Sequence, residues 1–155
     1  MRGVARGALA VAAACLGHLL LTTYAPWVAR RCDLFTILVV YYGLTRPQPA
    51  AMLMGTGAGL VQDSLLGSIL GLGGFKKTLI AYLVGSIGSL FMLNQAVPRF
   101  GILVAATFVE PLAELGLSVA MGQGFVFPTL TDLLQRGLGN GVVGLLVFWG
   151  AGRLP

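Results

Sequence analysis

Two glutamates in one apolar segment have the spacing of a chemical site. Glu110 and Glu114 are four residues apart, so a helix places both on one face. Two acids in the middle of a membrane segment are typical of a site for an ion or a proton. We favour the alternative, in which each carboxylate bonds to polar side chains of neighbouring helices. Since no His or Cys cluster accompanies the pair, we expect no metal site.

Asp63 is a third acid in apolar surroundings, within the stretch GTGAGLVQDSLLG at residues 55–67. A carboxylate that faces lipid costs about 2.5–3.5 kcal/mol on insertion scales, so Asp63 should face protein or water. It either anchors the end of its helix near a membrane surface or points inward as a functional carboxylate. We also hypothesise an ion pair between Asp63 and Lys76 or Lys77.

His18 is the only histidine, and it lies in the first apolar segment. A general base needs a reacting group within reach. None of the serines has an adjacent histidine, so no pair of nucleophile and base is evident. We therefore favour a polar packing role for His18 over catalysis.

The composition indicates that this chain is embedded in the lipid bilayer. Of its 155 residues, 57% are hydrophobic and 10% are charged, with a mean hydropathy of +0.89. A soluble domain carries about 25% charged residues. The net charge of +5 is spread over single or paired Lys and Arg. That pattern is typical of residues that flank membrane segments and excludes a nucleic-acid footprint.

Apolar runs of roughly 20 residues predict membrane-spanning helices. We expect an all-α polytopic membrane helix bundle in one domain, residues 1–155, with about six transmembrane helices. The second is short, and the third is interrupted at Asp63, either as a kinked helix or as a helix followed by a Gly-rich hairpin. Lys76 and Lys77 are expected to end the third segment, and Thr131 or Asp132 to cap the last one. The predicted segments are 4–24, 34–44, 50–75, 78–93, 100–121 and 133–149.

Small residues recur at intervals of four, which lets helices approach closely within the chain or with a partner. The main series contains Asp63 itself, and shorter series lie in the later segments. The positions are Gly55, Gly59, Asp63, Gly67 and Gly71; Ala81, Gly85 and Ser89; Gly116, Ala120 and Gly124; and Gly137 and Gly141.

The positive-inside rule does not orient the six segments. An N-terminus inside places five basic residues on each side of the membrane. Because the N-terminal pair, Arg2 and Arg6, usually has most influence, we expect both termini to be cytoplasmic.

Several short motifs follow one another in a fixed order across residues 32–89. They are Asp33–Leu34, Arg46–Pro47, Gly-x-x-x-Gly-Leu-x-x-Asp from Gly55 to Asp63, Leu70–Gly71, and Ala81–Tyr82–Leu83 with Gly85. In this order and spacing they resemble the core of the rod shape-determining protein MreD family, as do the length and the short loops.

The resemblance implies a bacterial inner-membrane subunit of the cell-wall elongation complex without catalytic activity or a cofactor. Its implied partners are MreC, the filament protein MreB, the glycosyltransferase RodA and its penicillin-binding transpeptidase, besides membrane lipid. It also implies a fold similar to the substrate-binding subunits of energy-coupling-factor vitamin transporters.

We therefore interpret the chain as a membrane scaffold that binds a partner's transmembrane helix through small-residue faces. It would help to position or activate a peptidoglycan synthase. The main alternative is the substrate-binding subunit of a vitamin or metal uptake system, with Asp63, Glu110 and Glu114 as pocket groups. An ion-conducting oligomer is a further alternative.

Overall fold

The computed structural model describes residues 2–90, 96–122, 124 and 126–151, with backbone alone at 2–4, 89 and 90. These residues form seven α-helices and contain no strand, which confirms the all-helical prediction. The helices are α1 (Arg2–Tyr24), α2 (Pro26–Ala29), α3 (Leu34–Thr45), α4 (Gln48–Leu66), α5 (Leu72–Leu90), α6 (Ala96–Ala120) and α7 (Leu130–Gly150).

The third predicted segment is not one kinked helix. Its helix ends shortly after Asp63, and a second helix follows. Gly67 follows α4 in the left-handed conformation, with φ of 63°, and its N–H donates to the carbonyl of Asp63. Glycine is the usual residue at this position because it has no Cβ to clash. After a short turn, α5 begins at Leu72. The prediction that Lys76 and Lys77 end a segment is therefore wrong, because both lie in the first two turns of α5.

The start of α7 also differs from the prediction. Thr129, rather than Thr131 or Asp132, is the N-cap, and its hydroxyl accepts a hydrogen bond from the backbone N–H of Asp132. Asp132 instead lies in the first helical turn, where a negative charge complements the helix dipole.

Consecutive long helices run antiparallel, so the bundle has two distinct ends. Close contacts of α4 with α5 join Gln48 to Gly85 and Gly59 to Gly73. The α4–α5 turn, α2 and the start of α7 lie at one end, which we call the acidic end. All five acids lie in this half of the helices: Asp33, Asp63, Glu110, Glu114 and Asp132. The opposite end, the basic end, holds Arg6, Arg46 and Arg99.

Two helices are long and apolar enough to cross a membrane, by length and composition: Ala5–Tyr24 and Ala96–Ala120. In the most apolar stretch of the first, only 6% of the residues are buried within the chain. The 12-residue α3 is apolar but shorter. It is also central, because it contacts α1, α4, α5, α6 and α7, and its Phe35, Val39 and Val40 are fully buried.

Glycines of α4 set the distance between α4 and α5. A Cβ on Gly55 would lie 2.6 Å from the carbonyl oxygen of Lys77, and one on Gly59 would collide with the backbone of Gly73. The two backbones therefore touch, which is the purpose of small-xxx-small spacing in membrane helices. Gly57, on the outer face of the same helix, has open space around it.

This packing predicts opposite effects of two alanine substitutions in α4. Gly59→Ala should lower the free energy of unfolding by about 1–3 kcal/mol, because the added methyl group overpacks a backbone contact. Gly57→Ala, the matched control, should leave stability unchanged or raise it by about 0.5–1 kcal/mol, because alanine restricts the unfolded chain. Thermal unfolding in detergent micelles measures both. Equal stability of the two variants would contradict the close α4–α5 packing.

Candidate functional site

Lys77 is the most unusual residue of the structure, because it is a lysine that lies between helices and is only 1% exposed. The close approach of α4 and α5 at Gly55 holds the backbone of Lys77 against α4. From there its side chain extends toward α3 and α6. Lysine is almost never fully buried unless it is paired.

The ammonium group of Lys77 has two carboxylate partners. Its Nζ lies 2.6 Å from Oδ2 of Asp33 and also donates to Oε1 of Glu110 and to the hydroxyl of Thr36. The Thr36 hydroxyl lies 2.5 Å from Oε1 of Glu110. Two carboxylates therefore share one cation, and the three charged groups carry a net charge of −1.

Asp33, Lys77 and Glu110 together form an ion triad, and Asp33 connects this triad to two further helices. Its carboxylate caps α3 by accepting from the backbone N–H of Phe35 at 2.9 Å, and it accepts from Nε2 of Gln62 on α4 at 3.0 Å. Its own backbone N–H donates to Oδ1 of Asn140 on α7 at 2.7 Å. Asn140 in turn donates to Thr107 on α6. We call this set of residues the polar network: Asp33, Thr36, Gln62, Lys77, Thr107, Glu110 and Asn140. The polar network connects the five helices α3, α4, α5, α6 and α7.

The polar network keeps Asp33 ionised at neutral pH. Burial alone would raise the pKa of this carboxyl group, but the charge of Lys77 and hydrogen bonds from Lys77, Gln62 and Thr36 together hold the pKa well below its ordinary value. An ionised, multiply bonded carboxylate is a poor proton acceptor near pH 7. The geometry is therefore that of a structural ion cluster.

Asp63 is buried and has no lysine partner, so the hypothesis of an Asp63–Lys76 or Asp63–Lys77 pair is wrong. Lys77 pairs with Asp33 and Glu110, and Lys76 pairs with Glu114 at 2.8 Å. The carboxylate of Asp63 instead accepts hydrogen bonds from chain that follows it. Its donors are the Ser68 hydroxyl (2.9 Å) and the backbone N–H groups of Gly71 (2.9 Å) and Gly73 (3.0 Å).

These bonds make Asp63 the N-terminal cap of α5. The N–H groups of Gly71 and Gly73 are among the donors that the first turn of a helix cannot pair internally, and a negative charge at this point complements the helix dipole. A Cβ at Gly73 would collide with the carboxylate, and Gly71 has φ of 100°. The Gly-rich turn thus lets one residue at the end of α4 cap the next helix.

The acidic end encloses a polar cavity of about 410 Å³, between the polar network and the loop before α7. Three of its lining residues are the acids that the sequence singles out: Asp63, Glu110 and Glu114. Arg136 lines the cavity as well and is exposed. Within the described residues, no group of three or more His, Cys, Asp or Glu is arranged to hold a metal ion.

His18, on α1, forms no hydrogen bond with Asp33, Lys77 or Glu110. Its ring is 6.0 Å from that of Phe35, and its buried Nδ1 has no hydrogen-bond partner among the described residues. It borders a second cavity of about 240 Å³ that Asp33 and Glu110 also line.

Most predicted small-residue faces are used within the chain. Gly85 packs on Gln48 of α4, and Ala81 is fully buried. Gly137 and Gly141 contact Val104 and Phe100 of α6. Gly67 and Gly71 form the α4–α5 turn, and the Ser89 side chain lies outside the described residues. By contrast, Gly116, Ala120 and Gly124 are exposed, and both glycines have open space around them.

Sequence reasoning missed Asp33, Thr36, Gln62, Thr107 and Asn140 as members of the site. Asn140 carried a usable signal, because an amide in the middle of an apolar segment must find a partner. For Asp33 the signal was its position directly before an apolar helix, which is typical of an N-cap. The partner of Lys77 had no local signal, since it lies 44 residues away along the chain.

A family model described as "rod shape-determining protein MreD" matches residues 9–149, which include every member of the polar network. No curated protein and no solved structure matches the chain.

The burial of Lys77 predicts a large effect of removing its charge. Lys77→Met should lower the free energy of unfolding by about 3–5 kcal/mol, because Asp33 and Glu110, whose side chains are only 21% and 20% exposed, lose their compensating cation. Adding Asp33→Asn and Glu110→Gln should restore much of the loss. Lys76→Met is the matched control and should cost at most about 1 kcal/mol, because its pair with Glu114 is partly exposed. Unfolding curves in micelles that do not separate the two lysine variants would contradict the network.

Asp63→Asn should loosen the α4–α5 turn and not the whole bundle. Because an amide oxygen replaces the charged acceptor of several hydrogen bonds, we expect a loss of about 1–3 kcal/mol. Hydrogen exchange at the amides of Gly71 and Gly73 should accelerate, while that of α7 stays unchanged. Unaltered exchange at both glycines would show that the carboxylate does not cap α5.

Proposed function

The chain belongs to the rod shape-determining protein MreD family, and from this premise we propose that it is a non-enzymatic scaffold of the cell-wall elongation complex. The family is one of membrane proteins that determine rod shape. In our proposal the chain binds the transmembrane helix of MreC and so helps to position or activate the peptidoglycan synthase. MreB, RodA and the penicillin-binding transpeptidase are the further proposed members of the complex.

The observation that carries the proposal is an uncovered face of α6 made of small and apolar residues. Gly101, Ala105 and Gly116 are exposed on α6, and neither glycine has an atom near the position of a Cβ. Val97 and Leu112, on the same side, are 80% and 58% exposed. We call these five residues the α6 face. Small residues four apart, such as Gly101 and Ala105, let a second helix approach closely in a bilayer, and none of the described helices packs against them.

The charge distribution supports cytoplasmic termini. Lys76 and Lys77 are engaged with acids inside the bundle, so they do not act as free charges at a membrane surface. Without these two lysines, the acidic end keeps three basic residues, Arg30, Arg31 and Arg136, against four at the basic end, Arg2, Arg6, Arg46 and Arg99. Because the positive-inside rule counts Lys and Arg and gives most weight to the N-terminal pair, the basic end is proposed to face inward.

A six-span arrangement is consistent with the direction of the helices. Gly7 contacts Met54, and Gly17 contacts Leu34, so α1 and α4 both run from the basic to the acidic end. The chain between α1 and α4 must therefore run back from the acidic end to the basic end, and α3 is the helix that does so. It is about 18 Å long, shorter than the ~30 Å hydrocarbon core. A fold similar to energy-coupling-factor substrate-binding subunits remains part of the proposal.

Co-purification from native membranes tests the scaffold function. We expect MreC and the wall synthase to be recovered with a tagged chain and identified by mass spectrometry. Gly101→Leu and Gly116→Leu should each reduce MreC recovery, because a larger side chain separates the helices at the α6 face. Gly57→Leu, an exposed glycine with equally open surroundings on α4, is the matched control and should retain MreC. Recovery of an ATPase module instead of wall-synthesis proteins would overturn the proposal.

The second candidate function is binding of a small polar molecule for uptake. The observation that favours it is the 410 Å³ cavity, which lies within the size range of small-molecule sites and is lined by Asp63, Glu110 and Glu114. Against it, the first two carboxylates are already engaged by Gly71, Gly73 and Lys77. A molecule that remains bound through purification, released by denaturation and detected by mass spectrometry, would favour uptake over the scaffold.

A further inference from the structure

An apolar groove of about 540 Å³ opens between α1 and α4 near the basic end. Small or apolar side chains form most of its walls, and the groove opens beside the contact of Gly7 with Met54. Leu53 is 75% exposed in the groove, and Gly57 has open space around it. The lining includes Gly7, Val11, Ala50, Leu53, Gly57 and, at one end, Arg46.

Arg46 is the only charged residue of the groove lining. It is the C-cap of α3, is exposed, and makes no ion pair or side-chain hydrogen bond within the described residues. Every acid of the chain lies in the opposite half of the helices. Within the described residues the cation therefore has no anionic partner, and it is open to an anion from outside the bundle.

We propose that the groove binds one anionic phospholipid, with an acyl chain between α1 and α4 and the phosphate on Arg46. An apolar channel that ends at a single cation matches the two parts of such a lipid. Basic pockets between transmembrane helices on the cytoplasmic side are known to hold anionic headgroups. Arg6, which precedes Gly7 on α1 and is exposed, lies on the same side of the chain and adds to the attraction.

The length of the groove favours a lipid chain over a partner helix. The groove runs from Ala50 to Gly57, about 10 Å along α4. A partner helix that spans the membrane lies along about 30 Å of hydrocarbon core, roughly three times this length. The proposal concerns a different surface from the α6 face and does not depend on the scaffold function.

Native mass spectrometry of the purified chain tests the proposal, with phosphatidylglycerol and phosphatidylcholine supplied in equal amounts. We expect one phosphatidylglycerol to stay bound in preference to phosphatidylcholine. Gly57→Leu should abolish retention, because the leucine fills the groove without a clash at Cβ. Arg46→Gln should weaken retention of phosphatidylglycerol about fivefold, the effect of one basic residue near an anionic surface, and leave phosphatidylcholine unchanged.

Gly101→Leu is the matched control, because it adds the same side chain to an exposed glycine outside the groove. It should retain the lipid with the affinity of the unmodified chain. Equal retention of the two lipids, or full retention by Gly57→Leu, would overturn the proposal. The proposal would also be overturned if Gly57→Leu lost MreC in the co-purification but kept the lipid, because that result assigns the groove to a partner helix. Loss of MreC only in Gly101→Leu leaves the lipid site intact and bears on the scaffold alone.

Discussion

The arrangement of the helices depends on the need to neutralise Lys77. A buried ammonium is tolerated only with carboxylate partners in good geometry, and these come from α3 and α6, while Lys77 itself belongs to α5. Moving any of the three helices along its axis by one turn, about 5.4 Å, would separate the charges. Apolar contacts between membrane helices have no such preference for one register, because lipid is as apolar as the side chains. The ion triad therefore fixes the axial positions that the apolar contacts leave free.

Glycine and charge act together in this design. Lys77 can reach Asp33 and Glu110 only because Gly55 allows α5 to lie against α4. One turn further along the same interface, Gly59 and Gly73 bring the two helices together where Asp63 caps α5. The GTGAGLVQDSLLG stretch thus supplies both the close contact and the cap. In this structure the small-residue series that contains Asp63 serves the chain's own packing, and the exposed small residues that we propose for a partner lie on α6.

Features that depend on residues close together along the chain could be predicted from the sequence. Features that depend on residues far apart along the chain could not. Apolar length gave α1, α3 and α6 with only small differences at their ends. The lysines were misplaced because two charges in an apolar run ordinarily mark a membrane surface. Only the fold shows that their partners, Asp33, Glu110 and Glu114, lie 33 to 44 residues away. The same limit applies to Asp63, whose cap role needed the α4–α5 turn to be known.

The two ends of the bundle follow different electrostatic rules. At the acidic end, acidic and basic residues are equal in number, and Lys76 and Lys77 are bonded to Glu114, Asp33 and Glu110 inside the bundle. At the basic end, Arg46 has no carboxylate partner among the described residues, so its charge is open to an anion from outside the bundle. The internal pairs hold the helices in place, and Arg46 is the cation on which we propose that the lipid phosphate lies. The net charge of +5 is the sum of these two ends, one balanced and one not.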